Sequence, residues 1–82
     1  DDHEGIVEEL RDQAGVRAAA LFVEEQSGWK ASCRSTSETI DVSRLCKQFG
    51  GGGHKQSAGC PLRHWPQAKV EFLAALEAIV TA

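Results

Sequence analysis

Four glycines and a histidine, Gly50-Gly51-Gly52-Gly53-His54, form the segment of this chain best suited to chemistry. Glycine loses more backbone freedom on folding than any other residue, so a run of four is a poor plain connector. Without Cβ atoms in the way, successive backbone N–H groups can turn towards one oxyanion. His54 and Lys55 add donors and charge directly behind the run. An imidazole holds phosphate as a cation, or donates one N–H when neutral. Upstream, Arg34 supplies a guanidinium able to grip a phosphate with two hydrogen bonds, and Ser35 a hydroxyl beside it. The chemistry these residue types share is recognition of an anion, phosphate first. The competing readings are a long flexible turn and solvent-facing strand charges.

Other constellations are missing. No Gly-Lys-Ser/Thr closes the glycine run, so it is not a Walker loop. It follows a helical pattern rather than a strand, so it is not a dinucleotide fingerprint either. There is no dense Asp/His cluster of the kind a two-metal phosphodiesterase site needs, no nucleophile elbow, and no Ser/His/Asp or Cys/His arrangement. His3 and His64 lack such context and read as structural or solvent-facing. By its residues alone the chain looks like a binder rather than a complete catalyst.

The elements that must position these groups can be read from spacing. Ile6, Val7, Leu10 and Ala14 fall on one helical face, which predicts a first helix from about His3 to Gln13, capped by Asp1 or Asp2 and stopped by Gly15. Val16 to Glu25 predicts a strand whose run Ala18–Val23 is apolar on both faces, as for a central strand covered from two sides. Gln26-Ser27-Gly28 predicts a hairpin turn into a strand over Trp29–Ser35. Trp29, Ala31 and Cys33 take one face of it, and Lys30, Ser32 and Arg34 the other. Val42, Leu45, Cys46 and Phe49 predict a helix from about Val42 to Phe49, with Asp41 as N-cap and Gly50 just past its end. Ser57–Cys60 predicts a short strand that Pro61 ends or bends, and a last helix runs from near Pro66 to about Val80. The order α-β-β-α-β-α implies an α/β fold, a small mixed sheet flanked by helices.

Composition bounds the partners. Eighty-two residues make one small domain with a modest core. No apolar run approaches the roughly 20 residues that span a bilayer, and no basic, apolar leader opens the chain; a cytoplasmic protein is expected. Cys33, Cys46 and Cys60 form no CxxC pair and are expected to be buried, reduced thiols rather than zinc ligands or disulfides. Net charge is −3, with a balance of −6 over residues 1–27, +4 over 28–63 and −1 over 64–82. The basic middle coincides with the glycine run, which favours an anionic ligand. The overall acidity argues against tight nonspecific binding to long duplex DNA.

The segment Trp29-Lys-Ala-Ser-Cys-Arg-Ser35, followed by Ile40-Asp41-Val42 and then by Phe49-Gly-Gly-Gly-Gly-His54-x-x-x-Ala58-Gly59, resembles the DHH-associated domain of DHH phosphoesterases. It looks most like the branch of oligoribonucleases, 3′-phosphoadenosine-5′-phosphate phosphatases and cyclic dinucleotide phosphodiesterases. The likeness extends to Glu4-Gly5-Ile6-Val7 and Gly15-Val16, so residues 1–82 read as one such domain. The resemblance implies a C-terminal substrate-binding lobe closing over an N-terminal DHH domain that is absent from this chain. That domain would hold two divalent metals, commonly manganese; no cofactor is expected in this chain. Carried over, Arg34 and Ser35 would contact substrate phosphate. Gly51, Gly52, Gly53 and His54 would face the metal site, with His54 near the scissile phosphate. The implied partners are a short oligonucleotide or phosphorylated nucleotide, the DHH domain, and a second copy in a parent homodimer. The implied activity is hydrolytic, exonuclease action included, and the isolated chain is expected to be inactive. Two alternatives are a non-catalytic nucleic-acid-binding module, as in alanyl-tRNA synthetase C-terminal domains, and a dimerisation or regulatory domain whose glycine loop packs on a partner.

Overall fold

A computed structural model of the chain describes residues 6–11 and 17–81. The elements are β1 (Ile6–Arg11), β2 (Ala18–Glu25), β3 (Gly28–Ser35), α1 (Val42–Gln48), β4 (Gly52–His54), β5 (Ser57–Leu62) and α2 (Gln67–Thr81). The strands form one five-stranded sheet in the order β1-β2-β3-β5-β4. The expected α/β class, a small sheet with helices packed on it, is what forms, but the sheet is antiparallel in every pairing rather than mixed.

Alternation along the strands builds the core. Ala18, Ala20 and Phe22 of β2, Ala31 and Cys33 of β3, and Ala58, Cys60 and Leu62 of β5 are all buried on one side of the sheet. Val42, Leu45 and Cys46 of α1 and Phe72, Leu76 and Val80 of α2 cover that side. Phe22 meets Phe72 edge-on at 5.7 Å between ring centres, and Phe49 meets Phe72 at 5.2 Å. Trp29 and Trp65 stack at 3.8 Å and close the far end.

α1 is bounded as its sequence predicts. The Asp41 carboxylate accepts hydrogen bonds from the Ser43 and Arg44 N–H groups, satisfying donors that the first turn leaves orphaned. At the other end the Gly50 N–H donates to the Lys47 carbonyl and the Gly51 N–H to the Cys46 carbonyl. With Gly50 at φ 87° this is a Schellman ending, which releases the chain from the helix directly into β4.

Four further expectations are corrected. Ile6–Arg11 is an edge strand paired with β2, not a helix, so the order is β-β-β-α-β-β-α. Its spacing fits a helical face, but Ile6 and Val7 are β-branched and the free edge of β2 offers a full ladder of hydrogen bonds. The expected caps at Asp1, Asp2 and Gly15, and the strand start at Val16, lie outside the described residues. The two sides of β2 are covered unequally: on the side away from the helices Leu21 is 36% exposed, while Val23 is buried at 7%. The glycine run is not all loop, because Gly52–His54 is a strand. Finally, Pro61 lies within β5, opposite Lys30. β4 reaches along β5 only to Gly59, so Pro61 has no strand on that side to miss its N–H.

Candidate phosphate-binding face

The register of three strands assembles the site. Arg34 of β3 pairs with Ser57 of β5, and Ser57 pairs with His54 of β4. Directly opposed residues in a sheet point to the same side, so the three form one row on the face that the helices leave open. Ala19 of β2, opposite Arg34, extends the row. Arg34 and His54 stand two strand spacings apart, about 10 Å at the backbone. A long guanidinium side chain and an imidazole can both reach a phosphoryl group held over the serine between them. All three side chains are exposed. None of them makes a hydrogen bond or ion pair to another described side chain. By contrast, the hydroxyls of Ser35, Ser37, Thr39, Ser43 and Thr81 are all engaged within the chain. The open row is therefore a set of donors with no acceptors among the described side chains.

The next row along the sheet is Leu21, Ser32, Gly59 and Gly52. It leaves bare backbone beside Ser57 and His54. The glycines here have separate reasons. A Cβ on Gly51 would overlap the Gly59 carbonyl oxygen and come within 2.6 Å of the Cys60 Cα, so the close approach of the glycine run to β5 requires its absence. A Cβ on Gly52 would meet nothing within 4 Å. No packing among the described residues accounts for Gly52, and its bare backbone faces the open side.

Three of the residues selected from the sequence are thus brought together: Arg34, Gly52 and His54. Gly53 joins them through the backbone of β4, an edge strand that presents alternate polar groups outward. Gly51 stands apart, because its amide is already bonded to the end of α1. Ser35 stands apart as well. It follows Arg34 in the strand and so faces the core, 7% exposed, with its hydroxyl bonded to the Ser37 backbone. Ser57 was not selected. The two-residue connection Lys55-Gln56, between His54 and the small-residue strand, was the available signal, since a tight hairpin sets its flanking residues opposite each other.

Among the described residues no group of three His, Cys, Asp or Glu side chains could hold a metal ion. Nor, among them, is any helix long and apolar enough to cross a membrane. The three cysteines are free and buried.

A family model described as the DHHA1 domain matches residues 1–82. The bifunctional oligoribonuclease and PAP phosphatase NrnA of Bacillus subtilis is 32% identical over 74 residues, 90% of this chain and 23% of that protein. The crystal structure of an exopolyphosphatase-related protein from Bacteroides fragilis superposes with a TM-score of 0.66 at 28% identity, covering 77% of this chain and 19% of that one. The chain thus spans about a quarter or less of the relatives it matches.

Proposed function

This chain belongs to the DHHA1 domain family, and from that premise we propose that it is the phosphate-binding lobe of a DHH phosphoesterase acting on short oligonucleotides or small phosphorylated nucleotides. The observation that carries the reading is the row Arg34–Ser57–His54 on the open face. The guanidinium supplies charge and paired donors, Ser57 a hydroxyl, and His54 an imidazole N–H. Donors fixed on rigid strands stabilise charge on a phosphoryl group without reorganising when it develops. Bare backbone at Gly52 lets the ligand come close.

We assign the hydrolytic chemistry to a metal-binding DHH lobe outside this chain, with manganese the expected metal. The role of this lobe is to bind the phosphate, orient it and close over it.

Arg34→Ala in the intact protein tests the reading. Severe loss of turnover on 3′-phosphoadenosine 5′-phosphate and on dinucleotides supports it, with the 82-residue chain alone inactive. Unchanged turnover at low substrate overturns it. Tight binding of long RNA by the chain alone, with a steep salt slope, would instead support a non-catalytic nucleic-acid-binding module.

A further inference from the structure

His54 follows four glycines and ends β4, a strand of three residues at the edge of the sheet. Gly53 beside it has φ 146°, a conformation that glycine alone adopts readily. Residues 50–53 have no side chains with which to hold the strand in place. The position of His54 is therefore set by the residues after it. The Lys55 carbonyl accepts from the N–H of Val42, the first residue of α1, at 2.9 Å. Gln56 makes two bonds to one partner. Its carbonyl accepts from the Ser35 N–H at 3.0 Å, and its side-chain Nε2 donates to the Ser35 carbonyl at 3.2 Å. Ser35 and Gln56 stand one step beyond the pair Arg34–Ser57 in the same register. Gln56 thus closes the ladder directly beside the Arg34 row.

We propose that Gln56 is a positioning residue of the phosphate site: its side-chain amide, bonded to the Ser35 carbonyl, holds the β4–β5 turn so that His54 stays in line with Arg34. The inference rests on the phosphate-binding reading above and adds to it the group that aligns its two cations. Three features select Gln56. The bond joins the residue after Arg34 to the turn that begins at His54, so it ties together the two strands that carry the site. Its anchor is fixed, because Ser35 is 7% exposed and its hydroxyl is already bonded to the Ser37 backbone. Gln56 itself is exposed and fills no core, so the bond to Ser35 is what its side chain contributes. The tie through Lys55 uses only backbone, which any residue supplies, whereas the Gln56 tie needs a side-chain donor of this length. A displacement of about 1 Å in a group that positions substrate can cost about 100-fold in rate, so a single bond at the turn is enough to matter.

The test is a double-mutant cycle on the intact protein. It measures kcat/KM on 3′-phosphoadenosine 5′-phosphate and on a dinucleotide, well below the melting temperature of each variant. His54→Ala is expected to lower kcat/KM about tenfold. Gln56→Ala, and Gln56→Glu whose carboxylate cannot donate, are each expected to lower it about threefold to tenfold. In the His54→Ala background the same two changes are expected to cost less than about twofold, because Gln56 acts through His54. A spectroscopic signature separates alignment from mere stabilisation. In protein carrying isotope-labelled histidine, in metal-free buffer, inorganic phosphate is expected to shift the His54 ring resonances of wild type. At the same phosphate concentration that shift should fall by about half or more in Gln56→Ala. Wild-type kcat/KM in either Gln56 variant, losses that add fully to that of His54→Ala, or an undiminished phosphate shift in Gln56→Ala overturns the inference and leaves the phosphate site standing. So does a silent His54→Ala beside a damaging Arg34→Ala. If neither Arg34→Ala nor His54→Ala changes kcat/KM, the phosphate-binding reading fails and the inference fails with it.

Discussion

Arg34 and His54 lie on different strands that never touch, yet both are register partners of the same residue, Ser57. Two groups 20 positions apart in the chain thereby point over one serine on the helix-free side of the sheet. The rigid ladder, rather than a flexible loop, sets their separation.

Charge-assisted hydrogen bonds to a phosphoryl group are the strong ones, so removing the guanidinium should be felt first. Arg34→Ala is expected to lower kcat/KM of the intact protein by about 10- to 100-fold. Arg34→Lys should recover only part of this, since an ammonium cannot make the paired contact. Steady-state kinetics at low substrate decides it.

Gly51 and Gly52 should separate stability from binding. Gly51→Ala forces a Cβ into the Gly59 and Cys60 backbone and is expected to cost about 2–3 kcal/mol or more. At Gly52 the added methyl meets open space, and φ is not in the left-handed range, so stability should change by about 0.5 kcal/mol or less. Ligand affinity should nonetheless fall about tenfold, because the ligand loses its close approach to the strand. Denaturant unfolding and binding of the two variants, compared side by side, check both halves. Unchanged affinity in Gly52→Ala would show that the bare backbone is not used.

The Asp41 cap should write itself into the acid limb of stability. The hydrogen bond from Ser43, with help from the Arg44 and Ser43 amides and the nearby Lys55, holds the Asp41 carboxyl below its ordinary range. A carboxyl depressed in the folded state stabilises the protein above its unfolded pKa, and that contribution is lost as pH falls through the folded value. Asp41→Ala should therefore lower Tm at pH 7. Its difference from wild type should shrink as pH drops below the usual Asp range. Thermal melts across pH 2–7 measure this.

The buried thiols predict the opposite limb. Burial, with Cys46 nearby, pushes the Cys33 thiol from 9.0 up to about 12. Cys60 is pushed up as well, by its hydrogen bond to Cys46 and by burial. A thiol kept protonated in the folded state stabilises the protein below its unfolded pKa, and stability then falls as pH rises from about 9 towards 12. Cys33→Ala should flatten that alkaline decline. In the native protein at pH 8 the three thiols should resist Ellman's reagent, and denaturant should release all of them. Rapid native labelling would contradict the burial.

What the chain determined by itself is local. The Asp41 cap, the apolar stripe of α1, the Gly50 ending, the β2–β3 hairpin and the last helix are each written in residues a few positions apart, and each forms where that spacing places it. The choice of Arg34, the glycine run and His54 was legible in the same way, from side-chain chemistry and a family pattern. Tertiary structure decided the rest. Whether Ile6–Arg11 coiled or extended depended on a free strand edge supplied by β2. How the two sides of the sheet were covered depended on where two helices came to pack. The placing of Ser57 between Arg34 and His54 depended on strand register, whereas Arg34 and Ser35 part by the alternation of any strand. Register is a pairing between distant segments, and shifting it by one residue turns every side chain to the other face.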